Sequence, residues 1–268
     1  LLVNTFLASF LVTGSVTWLY YSDRLMEFPV GVFGIALATV VLPNLSREFA
    51  NGTSERFSNM LDWALRWVVV IALPATFALI LLAVPLLTTL FNYNRFGIDD
   101  VQQSALALQA FSVGVCGFIF VKVLAPGFFA RQDTTTPMRI AVVSVVANIT
   151  FSFLLVDSLQ HTGLALAISI AAWINAVLLG VVLLQKSIYV PASGWAWFSL
   201  RVVVAVASMC GVIVFGSPAD SVWFAWGLWE RVIALLLIVF GASITYFASL
   251  WLMGLKPQAL LLRPTRVQ

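Results

Sequence analysis

The sequence predicts an all-α polytopic membrane protein with about eight transmembrane helices, the first of them partial. Three features lead there. Hydrophobic residues make up 62% of the 268 and charged residues only 9%, against about 25% charged in a soluble domain. That is too little charge to cover a water-facing surface, and the mean hydropathy of +1.03 agrees. Long apolar runs recur at the roughly 20 residues that a bilayer core of about 30 Å demands. Finally, Lys and Arg fall largely on one side of those runs. A soluble globular enzyme, a nucleic-acid-binding module and a disordered tail are excluded.

The expected spans are 1–12, 15–46, 64–91, 104–124, 138–156, 163–184, 202–215 and 232–253. The first 45 residues divide in two ways by periodicity alone. One reading makes Leu1 to Tyr21 a span and leaves Ser22-Asp23-Arg24 in a tight loop. The other turns at Thr13-Gly14-Ser15 and runs one long helix from Ser15 to Ser46. The opening residues Leu1-Leu2-Val3-Asn4 carry no Met and no charged segment, so they do not read as a signal peptide. They read as a start inside a hydrophobic helix, with part of the protein expected before it.

Orientation follows from the positive-inside rule. If the Arg47 end of the second span is cytoplasmic, alternation puts Arg56, Arg66, Lys122, Arg131, Arg139, Lys186, Arg201, Lys256, Arg263 and Arg266 on the same side. Arg95 and Arg231 fall outside, and Arg24 stands apart. The C-terminus is therefore expected in the cytoplasm. Trp223, Trp226 and Trp229 before the last span, and Trp63, Trp67, Trp195 and Trp197 at inner ends, occupy aromatic-belt positions.

Few residues carry chemistry. Cys116 and Cys210 sit in apolar runs, and no CxxC or His-Cys spacing suggests a disulfide framework or a metal. The lone His161 lacks nucleophile or acid spacing around it. No cofactor is expected. The informative cluster is Asp23, Arg24 and Glu27. On a helix Asp23 and Glu27 are i,i+4 neighbours with Arg24 beside them. Arg24 lies about 13 Å along a helix begun at Ser15 and about 31 Å from Leu45, compatible with the outer half of a membrane if the helix projects beyond it. A charge there costs roughly 3 kcal/mol or more unless it meets water or a partner. The plain alternative is an exposed ion pair in an outer loop. Pro29, Gly31 and Gly34 follow immediately and would bend the helix, as a gate or as an ordinary packing kink would. Asn4, Asn148 and Ser152 could line an ion site or simply bond helix to helix. Gly163, Ala167 and Ala171 form a small-residue stripe suited to close packing.

Two stretches carry a resemblance. Trp18-Leu-Tyr-Tyr-Ser-Asp-Arg-Leu-Met-Glu-Phe-Pro-Val-Gly-Val-Phe-Gly, running on to Ser46, is one; Leu124-Ala-Pro-Gly-Phe-Phe-Ala-Arg-Gln-Asp-Thr-Thr-Thr-Pro-Met138 is the other. Both resemble the MurJ (MviN) lipid II flippases of the multidrug/oligosaccharidyl-lipid/polysaccharide exporter superfamily. The resemblance implies the second lobe of a fourteen-helix, two-lobed fold in the bacterial inner membrane. It implies that Ser15 to Ser46 is one kinked helix and that Arg24, with Asp23 and Glu27, faces a cationic cavity shared with the N-terminal lobe. The implied partners are lipid II, membrane lipids and that lobe, with no nucleic acid. The last two spans would form a groove for the lipid tail. A sodium site is implied for some members; here Asn148 could match a ligand, but Ser152 replaces an expected acid. The rivals are an exporter of another lipid-linked saccharide, a drug/cation antiporter and a membrane-embedded polyprenyl-diphosphate enzyme. Arg24 argues against the antiporter, and Asp99-Asp100 is too little for the enzyme.

Overall fold

The structure, a computed structural model, describes residues 2–255. Lys256, Arg263 and Arg266, counted in the charge pattern, lie outside those residues. Among the described residues every regular element is helical. That is the solution hydrocarbon allows, because each backbone polar group must find its partner inside its own segment.

Helix α1 (Leu2–Ala8) ends in a turn that closes on Gly14. There φ is +108°, and a Cβ would stand 2.7 Å from the Trp18 ring, so the reversal requires glycine. From this turn α2 (Ser15–Pro29), a π-helical turn (Val30–Gly34) and α3 (Ile35–Ala50) run as one rod of 36 residues. The long-helix reading of the first 45 residues is therefore correct, and Arg24 sits within a spanning helix. Pro29 has no N–H to give to the carbonyl one turn back, and the helix widens into the π turn immediately after it.

Helix α4 (Ser54–Leu81) breaks at Leu82 before α5 (Ala83–Phe91). Pro85 explains the break, since it cannot donate to Leu81. Gln109, from α6 (Ile98–Ser112), donates to the Ile80 carbonyl at 3.3 Å beside it. Helix α7 (Val115–Phe129) continues α6 after a short interruption. The long α8 (Thr135–Gln185) is two helices folded at Gln160, where φ is 50° and ψ −131°. Helices α9 (Trp195–Gly216), α10 (Asp220–Ala225) and α11 (Leu228–Leu252) complete the described chain. Six rods are long and apolar enough to cross a membrane. Folding α8 at Gln160 adds a crossing, and the short α1 makes about eight. The chain is a multi-pass membrane protein.

At the start of α8, Asp133 accepts the Thr136 N–H at 3.0 Å and the Thr136 hydroxyl at 2.7 Å. These two bonds, the backbone one first, hold its carboxyl below the ordinary carboxylate range. This accounts for the Asp-Thr-Thr-Thr-Pro run as a helix start.

Close packing differs in detail from the small-residue stripe. Ala167 and Ala171 are buried, but Gly163 serves the α8 turn, where a Cβ would meet the Leu155 carbonyl oxygen at 2.5 Å. The tight helix contact is made by Gly114, just before α7, and Gly117 within it, against Ser169 and Ala172 of α8. Ser169 donates to the Ala110 carbonyl at 2.7 Å across that contact.

Two apolar cores result. The larger joins α2 through α8; the smaller seats α9 and α11 on α4 and α5 around Val70, Val202, Met209, Ile213 and Trp223. Trp223 is fully buried, so its aromatic-belt assignment is wrong; Trp229 and Trp197, both exposed, suit that role. The tight burial of Trp223 is fixed by Arg231, whose guanidinium donates to the carbonyls of Trp223 (3.0 Å), Phe224 (3.1 Å) and Thr88 (3.2 Å). These carbonyls belong to the last turns of α5 and α10, where helices leave acceptors unfilled. Arg231→Ala is expected to lower stability by about 2–4 kcal/mol, since three acceptors, two of them buried, lose a charged donor. Arg231→Lys should recover only part, because an ammonium cannot fork to three carbonyls. Thermal unfolding in detergent measures both.

At the opposite, basic end, the segment between α8 and α9 is tied to α4 through Asp62. This carboxylate is buried and accepts from Tyr189 Oη (2.8 Å), Trp195 Nε1 (2.6 Å), the Ala192 N–H (3.1 Å) and Arg66 Nε (2.8 Å). Burial and the bond to Asp62 push the Tyr189 hydroxyl well above its ordinary value, so it stays a donor. Asp62 is thus a buried anchor between α4 and the segment leading to α9.

Candidate functional site

The candidate site is built on α2. One face of this helix is pinned to α6: Ser22 donates to the Ser104 carbonyl at 2.6 Å, and Trp18 Nε1 donates to Asp100 at 2.8 Å. Ser15, Ser22, Met26 and Pro29 are buried along it. Helical geometry then turns Tyr20, Arg24, Glu27 and Phe28 outward, and all four are exposed. Arg24 Nη1 donates to Glu27 Oε2 at 2.9 Å, and its guanidinium lies 5.1 Å from the centre of the Tyr20 ring.

The side chains of Arg24 and Glu27 are 58% and 50% exposed, so solvent screens the pair and it is weak. Its effect is to hold an open guanidinium in place on a spanning helix while leaving it free to exchange Glu27 for a stronger anion. The fork suits a phosphate or diphosphate, which it can meet with two parallel N–H bonds.

Asp23 does not join this pair. It is half-buried on the next face of α2 and lines a cavity of about 150 Å³ with Asn4, Tyr20, Phe111 and Leu164. Asn4, Ser152 and Asn148 do come together. Ser152 donates to Asn148 Oδ1 at 3.0 Å and to Asn4 Oδ1 at 3.5 Å, while Asn4 Nδ2 reaches the Leu164 carbonyl at 3.4 Å. None of the three is an acid. They form a hydrogen-bonded chain between α1 and both halves of α8, and the polar groups meet one another's needs.

The three kink residues separate by role. Pro29 precedes the π turn. Gly31 has open space where a Cβ would be, so no close approach demands glycine there. Gly34 is different: a Cβ would stand 2.5 Å from Lys122 Cδ and 3.3 Å from Cε. The alkyl stem of Lys122 lies across Gly34. Lys122 was legible only as one more inner positive charge, because its neighbour is 88 residues away in sequence and no local pattern links them.

Comparison with known proteins bears on this geometry. The family model described as "Lipid II flippase MurJ" matches residues 1–240. A probable lipid II flippase MurJ of Vibrio cholerae is 40% identical over 256 residues, covering 96% of this chain and 49% of that protein. That of Haemophilus influenzae is 39% identical, covering 97% and 52%. The lipid II flippase MurJ of Burkholderia cenocepacia is 38% identical, covering 96% and 50%. A solved structure titled "Lipid II flippase MurJ, inward closed conformation" superposes with a TM-score of 0.72 at 22% identity, over 91% of this chain and 50% of that one. At that identity the superposition shows the shared fold. The chain spans about half the length of the curated relatives it matches.

Proposed function

The chain belongs to the lipid II flippase MurJ family, and from that premise we propose that it works as the C-terminal lobe of a transporter carrying lipid II between leaflets of the bacterial cytoplasmic membrane. The observation that supports this most is the open Arg24 guanidinium on a membrane-spanning helix. Lipid II has a diphosphate, a sugar-peptide head and a polyprenyl tail. Its head cannot enter hydrocarbon unaided, because its polar groups would lose water without replacement.

In this reading a hydrated cavity between this lobe and an N-terminal lobe supplies the replacement. Arg24 takes the diphosphate through charge-assisted bonds, with Glu27 and Tyr20 holding the guanidinium when the cavity is empty. Asp23 lines the smaller pocket on the next face of α2, shared with α1 and α8. The tail stays in lipid along α9 and α11, whose outward faces carry Phe215, Leu237, Phe240, Ile244 and Phe247. Rocking of the two lobes, eased at Pro29 and the π turn, opens the cavity to each leaflet in turn. The basic end bearing Arg47, Arg131 and Lys186 is cytoplasmic, and so is the C-terminus. No covalent step is involved. The Asn4–Ser152–Asn148 chain serves helix packing, and an ion bound there is not required.

The test uses the complete two-lobed protein in cells depleted of their own flippase. Lipid II exposed on the outer leaflet is measured with an impermeant reagent. Restored exposure is expected; a protein that inserts properly yet restores none would sink the lipid II assignment.

A further inference from the structure

We propose that Lys122 is a second cationic contact for the substrate diphosphate, lying nearer the basic end than Arg24. The inference rests on the flippase reading above and adds a residue that neither the charge cluster nor the α2 kink accounts for.

Its position is the first reason. Lys122 lies in α7, inside the rod Ile98–Phe129, which is apolar enough to cross a membrane. It stands seven residues before Phe129, about 10 Å from that helix end. A charge at that depth is costly and calls for water, a partner or a ligand. The ion pairs among the described residues are Arg24–Glu27, Arg66–Asp62 and Lys186–Asp133, so no carboxylate there neutralises Lys122.

The second reason is that space is set aside for its stem. Gly34 closes the π turn and has no side chain where Lys122 Cδ and Cε pass. Any larger residue at 34 would displace the lysine. Gly34 lies ten residues from Arg24 along the same rod, about 15 Å of helix. One continuous helix thus carries Arg24 on its own surface and seats a second cation further down.

The third reason is access. Phe118, Phe120, Val121, Lys122, Ala125 and Phe129 are incompletely buried, whereas Ile119, Val123, Leu124 and Phe128 are buried. Lys122 therefore lies among the partly open positions of α7 and not in its packed core. A diphosphate entering from the basic end would meet a mobile ammonium first and the planar fork of Arg24 afterwards. A lysine point charge suits such a transient contact, since it binds phosphate without imposing a bidentate geometry.

The complete two-lobed protein, in lipid nanodiscs, would be titrated with a C55 polyprenyl diphosphate and, separately, with the uncharged C55 polyprenol. Lys122→Met keeps the stem and removes the charge. It should weaken diphosphate binding about fivefold or more and leave polyprenol binding unchanged, while Lys122→Arg stays within about twofold of wild type. Gly34→Val keeps the charge but displaces the stem, and should weaken diphosphate binding in the same direction. Diphosphate binding by Lys122→Met within twofold of wild type would overturn the proposal and leave Lys122 reaching only for the interface. So would equal competition by an excess of phosphatidylglycerol, which would make this a general anionic-lipid contact. If Lys122→Met fails to insert, Gly34→Val decides: binding at wild-type strength overturns the proposal. A wild-type protein that binds no diphosphate at all would instead defeat the flippase reading itself, before any variant is compared.

Discussion

Replacing Arg24 by alanine is expected to abolish outer-leaflet exposure of lipid II while leaving the protein folded and inserted. The side chain is 58% exposed and its pair with Glu27 is an i,i+3 surface contact, so its removal costs the fold little. The cost to substrate is larger. A charge-assisted bidentate bond to a diphosphate in a partly desolvated cavity is worth about 1.5–3 kcal/mol per hydrogen bond, which corresponds to one to two orders of magnitude each in binding. Arg24→Lys separates charge from geometry: retained exposure would make charge sufficient, and its loss would require the planar fork. Glu27→Gln should weaken the hold on the guanidinium in the empty cavity without removing the cation, and so have the milder effect. Arg24→Ala with wild-type exposure at matched expression would show that the diphosphate does not pass this residue.

Asp62→Ala is expected to be the most destabilising single change at the basic end. It leaves the Tyr189 hydroxyl, the Trp195 indole and the Ala192 N–H without their acceptor and deprives Arg66 of its counter-charge. Breaking a buried, fully bonded charge network in this way costs about 3–5 kcal/mol. The segment between α8 and α9 should loosen first, and with it the seat of α9 on α4. Asp62→Asn should fall between the two. Its amide oxygen still serves the donors at Oδ1, but its NH2 faces Arg66 Nε, another donor. Thermal unfolding in detergent, with protease accessibility of residues 186–194, would measure both. A melting curve for Asp62→Ala that matches wild type would show that the network is not a stabilising anchor.

What could be read from the sequence, and what could not, divides by the range of the interactions. The span count and the membrane environment followed from composition and run length, since hydrocarbon tolerates only segments that satisfy their own backbone. The first 45 residues stayed ambiguous by periodicity because two turn signals competed. The conformation at Gly14 settled the matter in favour of one rod from Ser15 to Ala50. The Arg24–Glu27 pair was legible because it is local: residues three apart on a helix are neighbours whatever else the chain does. Asp23 is local too, yet a rotation of one residue moved it to a cavity shared with α1 and α8.

By itself, then, the sequence determined an all-helical membrane protein with a charged cluster at Asp23, Arg24 and Glu27 among its apolar runs, because hydropathy and helical period act over neighbouring residues; that Arg24 stands exposed on a long helix was decided by the fold. The tertiary structure alone decided which buried polar groups find partners. Asp62 bonds to residues 127 to 133 positions away, Arg231 reaches Thr88 across 143, and Lys122 lies over Gly34. Such pairings depend on which helices meet and in what register, and no local pattern encodes that. A polar residue in an apolar run announces only that it needs a partner; packing chooses which one.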